Sequence, residues 1–250
     1  MAQSKNNSFN HIKIHSQYSI CEGALKIEEL KKYCQKNKIK SVGLSDTNNL
    51  SGALEFSENI SSVGTQPIIG SQILFKFKST YGAIPLIAKN FKGYKNIIEL
   101  SSKAFLDNLD NNDPHCNIED LIKYREGIIL LSGSINNLFG KLFNNGLFED
   151  LEELVININK TFKENFYLEI QRHGDQNEKQ FEIFNLNLSK KYLIPIIATN
   201  EVFYLSKDMH EAHDALMCIG QKTYINDQKR LKLTDNHYFK SSTEMSEIFK

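Results

Sequence analysis

The sequence has no surplus of either charge and no paired cysteines. Lysine plus arginine and aspartate plus glutamate number 30 each, so the formal charge at pH 7 is zero. This balance argues against a free-standing binder of duplex DNA, because such proteins usually carry a basic surplus. The cysteines form no C-x-x-C pair, which favours reduced thiols in a cytosolic protein over disulfides or a zinc knuckle. They are Cys21, Cys34, Cys116 and Cys218.

The sequence also lacks a secretion signal and a long apolar run. Residues 1–8 are polar and contain no apolar segment of the kind found in a signal peptide, and we predict that they are disordered. No uninterrupted apolar stretch approaches the ~20 residues that span a bilayer. The sequence therefore predicts a cytoplasmic protein that does not enter a membrane.

Strand-like and helix-like segments alternate along the chain. Hydrophobic residues make up 40% of it, which is ordinary for a protein with a real core. Residues 11–15 alternate in period two, as in a strand with one buried face, and residues 27–34 show apolar side chains at helical spacing. Further strands are predicted over 41–44, 127–131, 166–170 and 194–198, and further helices over 50–60, 94–105, 135–162 (as two helices), 176–191 and 207–219.

The order of these segments predicts the architecture. Two apolar runs, 67–77 and 82–88, are separated by a short polar connection and predict a hairpin. The other strands alternate with helices, which predicts a parallel sheet with right-handed crossovers. No glycine-rich linker or composition break divides them, so we predict one β/α barrel domain that ends near residue 220.

The segment after residue 220 differs in character. Residues 223–240 are polar and basic and are predicted to be extended, and residues 243–250 begin a helix that has no stop signal. Earlier in the chain, the polar stretch 107–117 is the best candidate for a loop. A chain that ends within a helix leads us to expect a piece of a longer protein.

Polar side chains lie within or directly after six of the predicted strands. In a β/α barrel the chemistry lies at the carboxyl ends of the strands, so we expect these groups to converge at one mouth of the barrel. The alternative is that strand ends are polar simply because they meet solvent. The groups occupy residues 11–15, 45–47, 70–72, 132–134, 171–173 and 199–201.

Several short sequence words favour a functional origin for these groups. They include FNHIKIHSQYS at 9–19, LSDTNNLSGA at 44–53, PIIG at 67–70, EGIILLSG at 126–133, YLEIQRHG at 167–174 and IATNEVFYL at 197–205. In sequence and in order they resemble the PHP domain of bacterial DNA polymerase III alpha subunits. One such word would be weak, but many collinear words that extend to the end of the chain are a specific signal.

The resemblance implies a fold and a type of site. The implied fold is a PHP-type distorted (β/α)7 TIM-like barrel over residues 9–220, with residues 221–250 leading toward a polymerase (palm) domain. An active PHP site holds a cluster of metal ions on His, Asp, Glu and Cys ligands, which activate water and clamp a phosphate ester. Each ligand must offer a lone pair from nitrogen, oxygen or sulfur.

The resemblance places nine metal-ligand positions in this chain, and only His15 keeps the family's residue. Glu22 and Glu201 are carboxylates where the family has Asp. The other six positions read Lys13, Thr47, Gln72, Ala83, Ser134 and Phe203. The Lys13 ammonium only donates hydrogen bonds, so it can replace the charge of a metal but cannot ligate one. The resemblance therefore implies a degenerate metal site of the proteobacterial type, with no bound metal and a remnant pocket of His15, Glu22 and Glu201.

Three other residues are candidates for the same pocket: His11, Asp46 and His173. His11 shares a strand face with Lys13 and His15 by its period of two, but a hydrogen-bonded structural role is the favoured interpretation. His173 follows a strand within a family word. His210 and His213 are three residues apart in a predicted helix, a spacing that we attribute to chance. No site is predicted for the remaining histidines, which are His115, His210, His213 and His237.

The resemblance implies a non-catalytic role within a replicative polymerase. The domain would stabilise the polymerase and serve as a docking platform for the proofreading exonuclease subunit. Its partners would be the rest of the alpha subunit, that exonuclease subunit, and DNA through the parent polymerase. This chain would hold no cofactor, and Mg²⁺ would bind in the parent's polymerase site.

Two enzymatic alternatives remain. One is a PHP phosphoesterase or a metal-dependent 3′–5′ exonuclease that uses the leftover ligands. The other is a stand-alone enzyme similar to histidinol phosphatase, which is disfavoured because the words at 171–174 and 198–200 fit replicases better.

Overall fold

A curled mixed sheet forms the centre of the fold. The computed structural model describes residues 9–108 and 113–250, so the predicted disordered segment 1–8 lies outside the described residues. The strands within those ranges are β1 (Lys13–Ile14), β2 (Ser41–Thr47), β3 (Gln66–Phe77), β4 (Thr80–Ala88), β5 (Cys116–Asn117), β6 (Ile128–Leu131), β7 (Phe166–Ile170), β8 (Ile196–Ala198) and β9 (Glu201–Val202).

The strands follow the order β8-β7-β6-β4-β3-β2-β1-β9, with β5 paired to β3. Every pairing is parallel except those of β4, which is antiparallel to both β3 and β6. The short segment 196–202 joins the two ends of the sheet, because its first part pairs with β7 and its last part with β1. Counted as one interrupted strand, it completes a ring with β1, β2, β3, β4, β6 and β7. The predicted distorted TIM-like barrel is confirmed.

The antiparallel strand comes from the predicted hairpin. Strands β3 and β4 pair from Gly70 with Ile87 to Phe77 with Thr80, so only Lys78 and Ser79 form the connection. Lys78 adopts a φ of 51°, a left-handed conformation that lets a two-residue loop follow the twist of the strands. This hairpin is why one strand of the barrel is reversed.

Helices cover the outside of the barrel because each carries one apolar face. The helix over Phe148–Phe162, between β6 and β7, is an example. Its buried apolar residues recur at three- and four-residue spacing: Leu151, Leu154, Val155, Ile158 and Phe162. The helices of the described ranges are α1 (Ile27–Asn37), α2 (Ala53–Ser61), α3 (Phe91–Leu106), α4 (Ile118–Lys123), α5 (Leu138–Asn144), α6 (Phe148–Phe162), α7 (Glu178–Tyr192), α8 (His210–Gly220) and α9 (Ser242–Ile248).

Two apolar clusters support the two sides of the barrel. The larger one includes Phe75, Leu86, Leu130, Phe139 and Phe166 and joins β3, β4, β6 and β7 to their helices. The smaller one is centred on β1 and β2 and includes Ile14, Leu44, Phe56 and Phe239. Each fully buried side chain of this size contributes about 1.5–3 kcal/mol to folding. The clusters fix the strands whose ends carry the polar groups.

Local differences from the sequence predictions occur at element ends. The predicted loop 107–117 is partly wrong, because Cys116 and Asn117 form β5 beside β3. Helix α4 then begins at Ile118 and was not predicted. The strand predicted over 11–15 is reduced to Lys13 and Ile14, although His15 N still donates to Val202 O at 2.8 Å. Residues 109–112 of the predicted loop lie outside the described residues.

The segment after α8 packs back onto the barrel. Residues 221–241 contain turns but neither helix nor strand, and α9 follows. Phe203 N donates to His237 O at 2.9 Å, and Phe239 N donates to Tyr204 O at 3.1 Å. Phe239 is 4% exposed. The returning segment therefore reaches the mouth of the barrel. None of the helices described above is long and apolar enough to cross a membrane.

Candidate functional site

The carboxyl ends of the strands surround a cavity of about 320 Å³. Parallel strands bring their carboxyl ends to one face of a barrel, and this is why residues far apart in sequence meet here. Eight of the nine predicted ligand positions line the cavity: His15, Glu22, Thr47, Gln72, Ala83, Ser134, Glu201 and Phe203. The ninth, Lys13, does not line it and is fully buried beside Glu201.

Lys13 lies between two buried carboxylates. Its Nζ is 3.1 Å from Glu169 Oε1 and 3.5 Å from Glu201 Oε2. It makes no hydrogen bond of good geometry with any described residue, so the attraction is that of an ion pair. Glu169 also accepts hydrogen bonds from Gly133 N at 3.0 Å and from Gln171 Nε2 at 2.6 Å. One ammonium therefore neutralises charge in a region shielded from water.

The electrostatics of this group favour the charged forms. Burial by itself would lower the pKa of Lys13, but the negative charges of Glu169 and Glu201 outweigh burial, and the pKa is raised. Burial would likewise raise the pKa of Glu201, but Lys13 and the contact with His15 hold that pKa well below its ordinary value. At neutral pH the ammonium and the Glu201 carboxylate are both ionised.

His15 is enclosed by polar groups on its edge and by an aromatic ring on its face. Its Nε2 lies 3.0 Å from Glu201 Oε1, and its Nδ1 lies 3.3 Å from Ser19 Oγ. The ring of Phe203 stacks on the imidazole with centroids 4.4 Å apart and planes 21° apart. Phe203 thus occupies space beside the one retained histidine and offers no lone pair.

Amides and hydroxyls complete the cavity wall. The Gln72 amide nitrogen donates to Glu201 Oε1 and lies 2.8 Å from His15 Nε2. Its oxygen accepts from Asn137 Nδ2 at 2.7 Å. Across the cavity, Thr47 Oγ1 donates to Glu22 Oε2 at 2.5 Å. These hydrogen bonds link polar side chains of the cavity wall to one another.

Comparison with known proteins identifies the family of this site. The family model of the PHP domain matches residues 11–173. The chain belongs to the PHP domain family. The resemblance predicted from the sequence words is therefore confirmed.

The relatives of this PHP domain are polymerase subunits. Its alignment with DNA polymerase III subunit alpha of Caulobacter vibrioides is 257 positions long, gaps included, with 32% identity. The alignment covers 100% of this chain and 22% of the relative. It is 35% identical to the Rickettsia bellii subunit and 34% identical to the Borreliella burgdorferi subunit, in each case over 96% of this chain. The chain spans about a fifth of the length of the curated relatives that it matches.

A solved structure supports the fold of the PHP domain. It is a protein from Bifidobacterium adolescentis, proposed to be a metal-dependent phosphoesterase, with a TM-score of 0.52. The sequences are 11% identical, and the match covers 98% of this chain and 97% of the other. At this identity the likeness shows the fold alone.

The residues present do not fit the metal cluster that a PHP fold implies. Each metal ion needs several lone-pair donors around it, and only His15, Glu22 and Glu201 at the nine positions offer nitrogen or carboxylate ligands. Within the described ranges these three do not bring their ligand atoms within 4.8 Å of one another. The Lys13 ammonium beside Glu201 also repels a divalent cation.

Asp46 lies outside the cavity and stabilises the turn that contains residues of its wall. It is fully buried, and its carboxylate accepts from Ser16 N at 2.7 Å, from Ser16 Oγ at 2.8 Å and from Ser19 Oγ at 2.8 Å. Burial raises the pKa of Asp46 against the effect of these hydrogen bonds. Asp46 does not line the cavity but fixes the turn that presents His15 and Glu22.

The other two pocket candidates are buried and do not line the cavity. His11 Nε2 lies 2.7 Å from Lys240 O, and its ring packs on Phe239, so its contacts are structural. His173 Nδ1 lies 3.2 Å from Glu178 Oε1, and its Nε2 accepts from Glu201 N at 3.2 Å. Burial lowers the pKa of both His11 and His173 to about 4.

Two residues of the site were not predicted from the sequence. Glu169 is not among the predicted pocket residues. A carboxylate inside the otherwise apolar strand Phe166–Ile170 nevertheless indicates a buried charge that requires a partner. No site is predicted for His237, yet it is 2% exposed and lines the cavity. Its position depends on the return of segment 221–241, for which the sequence carries no local signal.

The remaining histidines contact separate backbone carbonyls. His210 Nε2 lies 3.2 Å from Leu233 O, whereas His213 Nε2 lies 2.7 Å from Glu22 O. Each ring is held by its own partner, as expected if their spacing on α8 is due to chance. His115 lies away from the cavity, with its Nδ1 2.8 Å from Asp113 O.

Proposed function

We propose that this chain is a non-catalytic PHP domain of a replicative DNA polymerase III alpha subunit, in which the metal site has decayed. The observation that carries the proposal is the Lys13 ammonium, 3.1 Å from Glu169 and 3.5 Å from Glu201. It supplies positive charge to carboxylates in the region where an active PHP site holds metal ions. A buried charge without a partner costs several kcal/mol, so this substitution lets the barrel fold without metal.

The similarity to DNA polymerase III subunit alpha over the whole chain supports the polymerase context. In this proposal the domain contributes to replication through the rest of the alpha subunit, which binds DNA and holds Mg²⁺ in its own polymerase site. The domain occupies residues 9–220, and residues 221–250 lead toward the palm domain. The protein acts in the cytoplasm.

The second part of the proposal concerns docking. A PHP barrel freed from metal chemistry can serve as a platform, and the partner we propose is the proofreading exonuclease subunit of the same replicase. Titration calorimetry of the purified chain with that subunit is expected to give one-to-one binding. A folded chain that shows no binding would remove the docking role and leave the metal-site proposal standing.

Metal content and phosphate release test the loss of the metal site. The purified chain is expected to hold no metal at the nine family positions and to release no phosphate from p-nitrophenyl phosphate, with or without Mn²⁺. The control is the variant His15→Gln, which should give the same metal content as the original chain. Two or more tightly bound transition-metal ions per chain with Mn²⁺-stimulated release would instead establish a phosphoesterase or exonuclease.

A further inference from the structure

We propose that His173, Asp175 and His237 form a binding site for one divalent transition-metal ion of the zinc type, separate from the nine family positions. Among the described residues this is the only group of three His, Cys, Asp or Glu whose ligand atoms all lie within 4.8 Å of one another. Both histidines are buried, and Asp175 is partly buried. Two imidazoles and one carboxylate are a ligand set that zinc accepts.

The site joins two segments that are distant in the sequence. His173 and Asp175 belong to the loop after β7, and His237 belongs to the returning segment 221–241. Thr234 Oγ1 and Asn236 Nδ2 donate to His173 O at 2.8 Å and 3.0 Å, which brings that segment to the loop. The backbone therefore positions the three ligands together before any metal binds.

Glu178 prepares His173 for metal binding. Its carboxylate accepts from the backbone N–H groups of His173 and Gly174 at 2.8 Å each, and it lies 3.2 Å from His173 Nδ1. A histidine that donates one ring N–H to a carboxylate presents the lone pair of its other nitrogen, which is the usual arrangement around metal-bound histidine. That lone pair on Nε2 now accepts a 3.2 Å hydrogen bond from Glu201 N, which a metal would replace.

His237 supplies the independent indication of a ligand. Its side chain is 2% exposed, and neither ring nitrogen has a hydrogen-bond partner among the described residues. Its Nε2 lies 3.4 Å from Asp175 Oδ2, and its ring lines the cavity. A buried polar group left unsatisfied destabilises the fold, and a metal ion would satisfy this one.

Metal binding requires a small rearrangement. The rings of His173 and His237 stack with centroids 4.0 Å apart and planes 4° apart, whereas a metal lies in the plane of each ring that binds it. The His237 ring can turn toward the ion without losing a hydrogen bond, because neither ring nitrogen makes one with the described residues. The expected role of the ion is to link segment 221–241 to the loop after β7.

Zinc and cobalt titrations test the site. The full chain, stripped of metal with a chelator, is expected to bind one Zn²⁺ by calorimetry and to show visible absorption of near-tetrahedral Co²⁺. Zn²⁺ should raise Tm by mass action and protect segment 221–241 from thermolysin. The variants His237→Gln and Asp175→Asn should each weaken zinc binding at least tenfold while circular dichroism shows the same fold.

The control variants His15→Gln and His115→Gln should bind Zn²⁺ as tightly as the original chain. Zinc binding that survives in both His237→Gln and Asp175→Asn would overturn the proposal, and so would binding that is lost in His15→Gln. No binding at micromolar Zn²⁺ would also overturn it, and would leave His237 and Asp175 as a close side-chain contact without a metal.

Discussion

At the scale of single residues, the Lys13 ammonium is buried next to two carboxylates, those of Glu169 and Glu201. Lys13 and Glu169 have fully buried side chains, and the side chain of Glu201 is 8% exposed. Taking such charges out of water is costly, and it is tolerated only when each charge has a close partner. The three residues are therefore a unit whose members cannot be changed one at a time without penalty.

Replacing Lys13 tests this unit. The variant Lys13→Met leaves Glu169 and Glu201 buried without their cation, and the free energy of unfolding is expected to fall by ~3–5 kcal/mol. Urea denaturation measures the change. The matched control is Lys32→Met, which removes an exposed pair with Glu28 and should cost less than about 1 kcal/mol. Equal small losses in both variants would contradict a structural role for Lys13.

The pH dependence of stability follows from the same residues. Because the pKa of Glu201 is lowered in the folded chain, its ionisation stabilises the fold above the unfolded value of ~4.3, and this stability is lost as the pH falls through the folded pKa. Because the pKa of Lys13 is raised, its contribution is present below ~10.4 and is lost as the pH rises through the folded pKa.

Urea denaturation between pH 7 and pH 3 is expected to show a free energy of unfolding that falls below about pH 4. The variant Glu201→Gln should flatten this dependence, because it removes the titrating group. Glu28→Gln is the control, since the Glu28 side chain is 57% exposed and should leave the curve nearly unchanged. A curve for Glu201→Gln with the original slope would contradict the assignment to Glu201.

At the scale of elements, the returning segment 221–241 is mostly polar, yet it contributes buried side chains to the core. Phe239 belongs to the apolar cluster around β1 and β2, and its ring packs on His11 and Tyr33. Lys240 is 2% exposed and donates to Asn200 Oδ1 at 2.7 Å. The boundary predicted at residue 220 stays a prediction, and these contacts cross it.

Removing the contacts of the segment tests that boundary. The variant Phe239→Ala is expected to lose ~3–5 kcal/mol of stability in urea denaturation, as is usual for a buried phenylalanine. Tyr224→Ala, at a side chain that is 86% exposed in the same segment, should change stability by less than about 0.5 kcal/mol. A chain of residues 1–220 should unfold at lower urea concentration than the full chain; unchanged unfolding would support a domain that ends at 220.

At the scale of the whole molecule, the barrel still assembles the positions of a metal site. Eight of the nine positions, from different strands and loops, meet around one cavity, and six of the nine carry a residue that is neither a histidine nor a carboxylate. Barrel geometry depends on the apolar clusters and strand register, so the positions can remain together after the ligands are lost. If the metal site has decayed as proposed, restoring the ligand residues is expected to restore metal binding.

Restoring the ligands tests whether the scaffold is intact. A chain with K13H, T47H, Q72E, A83H, S134C and F203H is expected to bind about two or more Mn²⁺ or Zn²⁺ ions and to release phosphate from p-nitrophenyl phosphate. Metal analysis and phosphate assay measure the gain. The control K13H alone should gain neither, because most ligands are still missing. If the variant with all six substitutions folds but binds no more metal than the original chain, the cavity no longer has the geometry of a metal site.

The sequence predicted most of the elements and the nine positions but not all of their contacts. The hairpin 67–88 and the strand 166–170 were predicted closely, because alternation and turn residues act over a few neighbours. Helix α4 was missed because six residues give too little periodicity to detect. Asp46 was predicted as a pocket residue, and only its hydrogen bonds to Ser16 and Ser19 place it behind the wall.

The sequence by itself determined the PHP family and the barrel, and it determined that Lys13, Thr47 and Phe203 stand where the resemblance implies metal ligands. These three residues are unable or ill-suited to bind a metal ion wherever they lie. Only the tertiary structure decided that Lys13 is paired with Glu169 and that His237 reaches His173 and Asp175. The chemistry of a side chain is a property of the residue. Its partners depend on how strands and segments far apart in sequence are packed.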